Sequence, residues 1–570
     1  MNIFIGKIVR GHLELFMINI LNKKPTTYII LVLIVIIGIF LRFYQLGVNP
    51  PSLNWDEASL GYNAYSILKT GSDEYGTKFP LSIRSFDDYK PPLYVYLAIP
   101  GIAIFGLNEF SVRFPAAIIG ILSVIAIFFL VKELFQKWDK KCQEPIALAS
   151  AFFLAISPWH LQFSRGAFEG NIGIFFLILG ITLFLKGLRD GRLFIVSSVS
   201  LALSVYSYHS FRLLVPLFLI FLGFIFWQEA LKKKLFFVIF LISLALFTLP
   251  VYFSFVKDQA SNSRLSMVTI FSDPTVINPS IGRIDYDQNN NDLLGSVLHN
   301  RRIVYSLAIA KGYLDHFNPD FLFIHGDGGV QHHAVDMGML YLWDIPFVLA
   351  GIYYLLRKHN RFTWVLFLAF LLSPIPASIT TGTPHPVRAI GMILGFHIFS
   401  AIGVIFFWEK IILFKNSFVK IAIILIGISS LALNMIYYLH QYYVHTPVEY
   451  GYFWQYGYKE ALLYAKDQEE KFDKIIMTYK YDQPYIYYLF YNTIDPSWYQ
   501  KNWDYNKNGK IDRFKRVIGK YTFRNIDYPR DAHIPHMLLI GTPDEIPNKA
   551  KVLKVIKFPD GKVAFKIVKT

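Results

Sequence analysis

A polytopic α-helical membrane protein with about eleven transmembrane helices, followed by a small C-terminal extracytoplasmic α/β domain, is the fold class that three observations predict. Apolar runs of ~20 residues recur along the first 440 positions, each long enough to cross a hydrocarbon core of ~30 Å at ~1.5 Å per helical residue. The 570 residues are 54% hydrophobic and only 17% charged, with a mean hydropathy of +0.38, whereas soluble chains carry about a quarter charged residues. Lys and Arg collect in alternate turns between the runs, as membrane orientation demands. The net charge of +16 is therefore first a matter of topology, and no nucleic-acid partner is expected. A single cysteine, Cys142, excludes an intramolecular disulfide, so an external domain has to be held by packing alone.

Residues 1–26 mix apolar positions with Lys7, Arg10, Lys23 and Lys24 and lack a long apolar core ending at a small-residue cleavage site. An interfacial helix is expected there in preference to a cleaved signal. The catalytic membrane domain is expected over 27–440. Its first span, about 27–46, follows Lys23 and Lys24 and so starts in the cytoplasm, which puts Asp56 and Glu57 outside. The apolar stretch 91–107 poses a choice. If it crossed, Lys132, Lys137, Lys140, Lys141 and the lysines 232–234 would all lie outside; it is therefore expected to lie along the outer interface or dip into it. The later spans are then 111–131, 145–160, 171–188, 193–210, 213–231, 235–256, 338–356, 362–379, 388–409 and 418–440. Outer loops cover 47–110 and 257–337, and the 441–570 segment reads as one external α/β domain in an integral, multi-pass protein of the cell membrane. Within it "GYKEALLYAKDQEEKFDKIIMTYK" predicts an amphipathic helix and then a strand, and "HMLLIGTPDEIP" a strand and then a turn.

The chemistry gathers on one side. Asp56 and Glu57 stand just past the first span, followed by Tyr62 and Tyr65; a carboxylate there can act as general base on a hydroxyl within hydrogen-bond reach. The competing reading is a helix start, since "NWDE" suits an N-cap and a first turn favoured by negative charge. Lys90, Arg113, Arg165 with Glu169, His209 with Arg212, and His385 with Arg388 fall at the same boundary. Ionisable groups beside spans are expensive and usually mark a polar cavity, although one Lys or Arg can snorkel to headgroups and Arg165 can pair with Glu169 along a helix face.

The ordered motifs WDE, KPPLYVYL, FGLNEFSVRFPA, SPWHLQFSRGAFEGN, YSYHSFRLLVP and PHPVR resemble the integral-membrane glycosyltransferases of the GT-C fold, closest to the ArnT-like and protein O-mannosyltransferase group, glycosyltransferase family 39. The resemblance spans about residues 27–400 and is most specific over the first 220. It implies an inverting transferase that moves one sugar from a polyprenyl-phosphate donor to an acceptor at the outer face. On matched positions it implies Asp56 as the base or acceptor-positioning carboxylate, Glu57 as its support and Glu169 as the second acidic residue, where the family often has Asp. It further implies Lys90, and on weaker matches Arg212 and Arg388, as holders of the donor phosphate. Tyr62, Arg165, His209 and His385 are candidate substrate contacts.

No obligatory metal is expected, because a monophosphate donor lacks the diphosphate that Mg²⁺ or Mn²⁺ commonly serves, although the carboxylates could bind one. "DYNKNGKID" (504–512) matches a calcium loop in part, but its twelfth position is Lys515, and a plain turn is preferred. His325, Asp327, His332 and His333 fit no zinc spacing, and the resemblance to the family implies a lid over the cavity there. The aromatics of "YDQPYIYYLFY" are expected to pack, with sugar stacking as the alternative. Two other function classes stay open at this point: a secondary transporter or lipid-linked sugar flippase, for which ionisable groups at mid-span and repeated halves would be expected, and an oligosaccharide ligase with a diphosphate donor. The acceptor, whether lipid, protein or envelope glycan, is not identified by the residues.

Overall fold

The structure is a computed structural model, and it describes residues 24–86, 88–257, 268–502 and 516–570. The N-terminal interfacial helix and the 504–512 turn lie outside the described residues. Helices α1 (Lys24–Phe43), α2 (Trp55–Thr70), α3 (Leu93–Phe105), α4 (Glu109–Leu134), α5 (Lys140–Ile156), α6 (Pro158–Arg165), α7 (Glu169–Gly187), α8 (Leu193–Val205), α9 (His209–Leu231) and α10 (Lys234–Lys257) form the first part of the bundle. After several short helices follow α11 (Asp344–Arg357), α12 (Arg361–Leu372), α13 (Met392–Ile412) and α14 (Ser417–His440).

Among the described residues eight helices are long and apolar enough to span, and the bent pair α5–α6 makes a ninth. The expected spans 193–210 and 338–356 appear as α8 and α11, of 13 and 14 residues. Each packs closely along a neighbouring helix. In α8, the Ser197, Ser200 and Ser204 hydroxyls donate to carbonyls of Gly180, Phe176 and Gly173 on α7. A Cβ at Gly403 of α13 would come within 1.9 Å of the Phe347 carbonyl oxygen on α11, so only glycine permits that crossing. The stretch 91–107 becomes α3, 13 residues packed on α2 and α4.

The α5–α6 break has a local cause and a local remedy. Pro158 carries no N–H, the chain turns by 55°, and the Ser157 hydroxyl caps the new helix at His160 N. The carbonyls this frees cannot stay unpaired in a bundle. The Arg42 guanidinium donates to Leu154 O and Ala155 O and lies 2.7 Å from His160 Nδ1, while the Tyr341 hydroxyl donates to Ile156 O.

Basic turns gather at one end of the bundle, where Arg189 pairs with Glu133 at 2.7 Å, Arg361 with Glu229, and Cys142 Sγ approaches Glu409 at 3.6 Å. Asp56 sits at the opposite end. There the C-terminal domain docks. Its mixed six-stranded sheet runs β4-β5-β3-β6-β8-β7, with β3 (Lys474–Met477) parallel to β5 (Tyr521–Phe523) and β6 (Met537–Gly541), and with β4 (Arg516–Ile518), β7 (Val552–Lys557) and β8 (Val563–Lys569) antiparallel; the remaining strands, β1 (Ile83–Ser85) and β2 (Asp88–Lys90), form a separate hairpin after α2. The expected helix over "GYKEALLYAK" is α15 (Tyr458–Gln468), and β3 and β6 fall on the two predicted strands.

The "YDQPYIYYLFY" aromatics form α16 (Pro484–Tyr491), buried from Pro484 to Phe490. Tyr487 stacks on Tyr458 at 4.4 Å and donates to Leu53 O, so this buried ring helps hold the domain to the start of α2. Below them, the fully buried Glu74 lies close to the Arg516 guanidinium, which stacks 3.5 Å over Tyr485. Burial pushes the Glu74 carboxyl up to about 8, with Arg516 opposing. A carboxyl raised on folding stabilises the fold below its unfolded value near 4.5, and that contribution is lost as pH rises toward 8. Glu74→Gln, which keeps the neutral shape, is expected to match the parent in Tm at pH 5 and to exceed it increasingly from pH 7 to 8.5, read by thermal unfolding.

Candidate active site

The α2 N-terminus builds the site's first wall. Asn54 caps the helix by accepting the Glu57 N–H at 2.9 Å, and Glu57 answers by accepting the Asn54 N–H at 3.2 Å. Glu57 is buried and grips Arg113 through two bonds of 3.0 Å while also taking the Ala167 N–H at 2.8 Å. Arg113 in turn donates to the carbonyls of Leu46, Pro50 and Ser52. Glu57 is therefore a positioning residue. Both its oxygens are engaged within the protein, by Arg113, the Ala167 N–H and the Asn54 N–H. The helix-start reading holds, since Asn54 and Glu57 carry the cap of α2 between them.

Asp56 is left on the outside of that first turn with its side chain 52% exposed, ion-paired to Lys90, whose own side chain is only 6% exposed. Lys90 ends β2, and this strand is held by His209, whose Nε2 lies 3.1 Å from Tyr89 O, and by the Leu93 N–H bonded to Tyr206 O. His209 therefore supports the Lys90 strand from the start of α9. Arg212 follows one turn on, on the same helix face, its carbonyl accepting the Tyr252 hydroxyl at 2.7 Å.

Glu169 begins α7, two residues after the Ala167 N–H that Glu57 holds. Tyr94 of α3 feels both carboxylates; burial first, then Glu57 and Glu169, push its phenol well above its ordinary range. The His385–Arg388 loop reaches the same helix start, where a Cβ at Gly170 would stand 2.9 Å from Val387. Arg388 donates to Thr380 Oγ1 and Thr381 O. His385 packs ring to ring with His332 at 5.1 Å, and burial, then Arg388 and His332, hold its imidazole well below the ordinary histidine range, hence neutral.

Two candidates fall elsewhere. The Tyr62 side chain is buried between α2 and the C-terminal domain, its hydroxyl donating to Ile494 O. Arg165 is buried and spends its guanidinium on the carbonyls of Leu41, Arg42 and Asn49 and on the Tyr442 hydroxyl; it clasps the end of α1. The chain turns at Gly166 between α6 and α7, so Arg165 and Glu169 do not share one continuous helix face. One pairing went unread in the sequence. His332 Nδ1 lies 2.8 Å from Asp327 Oδ2, and the His332 ring packs 6.0 Å from Phe168, next to Glu169, bringing the expected lid loop to the site. Five residues separate that pair within a glycine-rich loop, a spacing with no regular-structure signal. Among the described residues, no group of three or more His, Cys, Asp or Glu side chains is placed to hold a metal ion.

The arrangement has relatives. Residues 89–253 match the family model described as dolichyl-phosphate-mannose-protein mannosyltransferase, a stretch that holds Lys90, Glu169, His209 and Arg212. ArnT from Cupriavidus metallidurans superimposes with a TM-score of 0.54 in the apo state, covering 96% of this chain and 98% of that one at 11% identity. The chain has the GT-C fold, and its residues 89–253 are similar to that mannosyltransferase family. The same ArnT bound to undecaprenyl phosphate gives a TM-score of 0.52 at 13% identity, covering 94% of this chain and 97% of that one. The Archaeoglobus fulgidus oligosaccharyltransferase AglB, in complex with an inhibitory peptide and a dolichol-phosphate, gives 0.50 at 15% identity, with 82% of this chain covering 63% of that one. In sequence, the chain is 26% identical over 174 residues to "Putative mannosyltransferase YkcB" of Bacillus subtilis (strain 168). That match takes in 30% of this chain and spans about a fifth (22%) of the curated relative.

Proposed function

We propose that this protein moves a single sugar from a polyprenyl-monophosphate donor to an acceptor hydroxyl with inversion, at the extracytoplasmic face. The observation that carries the reading is the Asp56–Lys90 pair: a half-exposed carboxylate held by a buried cation at the membrane-proximal start of a helix. A donor phosphate competing for Lys90 releases Asp56, so donor binding itself frees the base. The acceptor oxygen then bonds to the anomeric carbon, its proton passes to Asp56, and the carbon–phosphate oxygen bond breaks on the opposite face of the sugar. The leaving phosphate goes from a charge of about −1 to about −2, so Lys90, with Arg212 and Arg388, binds the transition state more strongly than the ground state. No general acid is needed for such a leaving group. The fold likeness to ArnT, solved with undecaprenyl phosphate, supports the donor class.

Sidedness follows from charge. The basic turns at the end opposite Asp56 suit a cytoplasmic location, which leaves Asp56 and the C-terminal domain outside. The chemistry proposed needs no obligatory metal. Glu57 is closed to one by Arg113, and Asp56 faces a cation already. The crowding of ionisable groups at one boundary also speaks for transfer over transport.

The test presents purified protein in nanodiscs with polyprenyl-monophosphate and polyprenyl-diphosphate sugars side by side and follows glycosylated products by mass spectrometry. Turnover of the monophosphate alone, with Lys90→Met raising KM for it about tenfold or more, is expected from loss of a charge-assisted phosphate contact worth ~1.5–3 kcal/mol. Preference for the diphosphate would favour the ligase reading, and movement of donor across sealed vesicles without a new glycosidic bond would favour a flippase.

A further inference from the structure

Between α10 and α11 the chain runs out into a hairpin of short helices, Pro274–Asn289, Leu293–Leu298 and Arg301–Asp315, that packs mainly on itself. His299 closes on Asp287 at 2.5 Å, the Ser280 hydroxyl donates to His299 O, and the Tyr305 hydroxyl donates to Phe271 O. At its tip four neighbouring large apolar side chains are left uncovered: Leu293 is 82% exposed, Leu294 69%, Val297 59% and Leu298 50%. Phe271, Ile281, Tyr286, Leu307 and Leu314 are exposed as well. Such a patch on a water-facing loop is rare in a stable protein. Arg301 and Arg302, both exposed, follow the tip directly. Of the nearby carboxylates, Asp287 is taken by His299, Asp292 accepts the Gly295 N–H and Asp315 is paired with Lys311, leaving Asp285 on the hairpin's first helix.

Both roots of the hairpin are fastened to one loop of the candidate site. On the way out, Thr269 bridges Thr380 and Val268 O accepts the Thr381 N–H at 2.8 Å. On the way back, Asp315 Oδ2 accepts the Thr383 hydroxyl at 2.8 Å and His316 Nε2 accepts the His385 N–H at 3.1 Å. The loop so held is the one from which Arg388 reaches Thr380 and Thr381.

We propose that residues 268–316 form a membrane-docking finger: the Leu293–Leu298 tip enters the acyl boundary of a phospholipid bilayer, Arg301 and Arg302 hold lipid phosphates, and the roots tie that immersion to the Arg388 loop. Three features select lipid as the occupant. The segment follows α10 in the chain, and that helix leaves Leu235, Leu246 and Phe253 exposed along a candidate membrane span. Tyr286, Tyr305 and Phe271 supply the aromatic girdle typical of the interface. The arginines stand beside apolar surface, which is how interfacial helices divide headgroup from acyl contacts. The docking does not depend on the transfer reaction.

The experiment places an environment-sensitive fluorophore at Leu294→Cys, and separately at Val297→Cys, in full-length protein carrying Cys142→Ser and reconstituted in phospholipid nanodiscs. Labels at Leu246→Cys on α10 and Lys549→Cys on the C-terminal domain serve as lipid and water references. The expected result is blue-shifted emission and quenching by a nitroxide-bearing lipid comparable to the Leu246 label, with little quenching by aqueous iodide. Quenching by iodide like the Lys549 label would overturn the proposal. So would protection from both quenchers, which would mean that a second copy or another protein covers the tip.

Discussion

Asp56→Asn is expected to lower sugar transfer by roughly 10²–10⁴-fold, the range for loss of a positioned general base. The substitution keeps the side chain's size and its place on the first turn of α2 while removing its capacity to take a proton. Because Asp56 bears none of the capping of α2, which Asn54 and Glu57 carry between them, the variant should insert and unfold like the parent. It also releases Lys90 from its ion pair, so donor phosphate should bind as tightly as before or more tightly. The expected kinetic signature is a fall in kcat with an unchanged or lower KM for donor, measured by product mass spectrometry under saturating donor. Unchanged turnover would remove Asp56 from the chemistry.

Arg113→Ala has the largest expected effect on the fold. It strips the buried Glu57 of its two 3.0 Å bonds and leaves the carbonyls of Leu46, Pro50 and Ser52 without their donor. Breaking a buried pair from one side costs about 3–5 kcal/mol, because the remaining charge stays desolvated. Glu57→Gln should cost less, since an amide still accepts the Ala167 N–H and one guanidinium bond. The double change Arg113→Met with Glu57→Leu should recover part of the loss if charge is the main term. Thermal unfolding in nanodiscs reads all three, and activity should fall with them because the same network seats the helix that carries Asp56.

How far the residues foretell this arrangement depends on the kind of signal each left. Runs of apolar residues disclosed the helical bundle, because length and composition are one-dimensional properties. They could not disclose that α8 and α11 are short. Both pack along a neighbour through serine hydroxyls and a close glycine crossing, contacts that local spacing does not show. The WDE motif offered Asp56 as the base and Glu57 as its support, and adjacent helix positions point about 100° apart, so Asp56 faces out while Glu57 turns in to Arg113. Tyr62 and Arg165 looked available because burial against a distant domain or against helix-end carbonyls leaves no trace in local spacing. The reverse holds for Lys90, His209 and Arg388, whose positions next to membrane boundaries were legible and whose loops the fold does bring to the Asp56 end.

The account turns on Lys90 choosing between Asp56 and a lipid phosphate. Titration of polyprenyl monophosphate into nanodisc-embedded parent, Lys90→Met, Asp56→Asn and the double variant measures that choice as a thermodynamic cycle. The account predicts at least about tenfold weaker binding in Lys90→Met, equal or tighter binding in Asp56→Asn, and no effect of Asp56→Asn once Lys90 is gone. Equal affinity in all four proteins would contradict it.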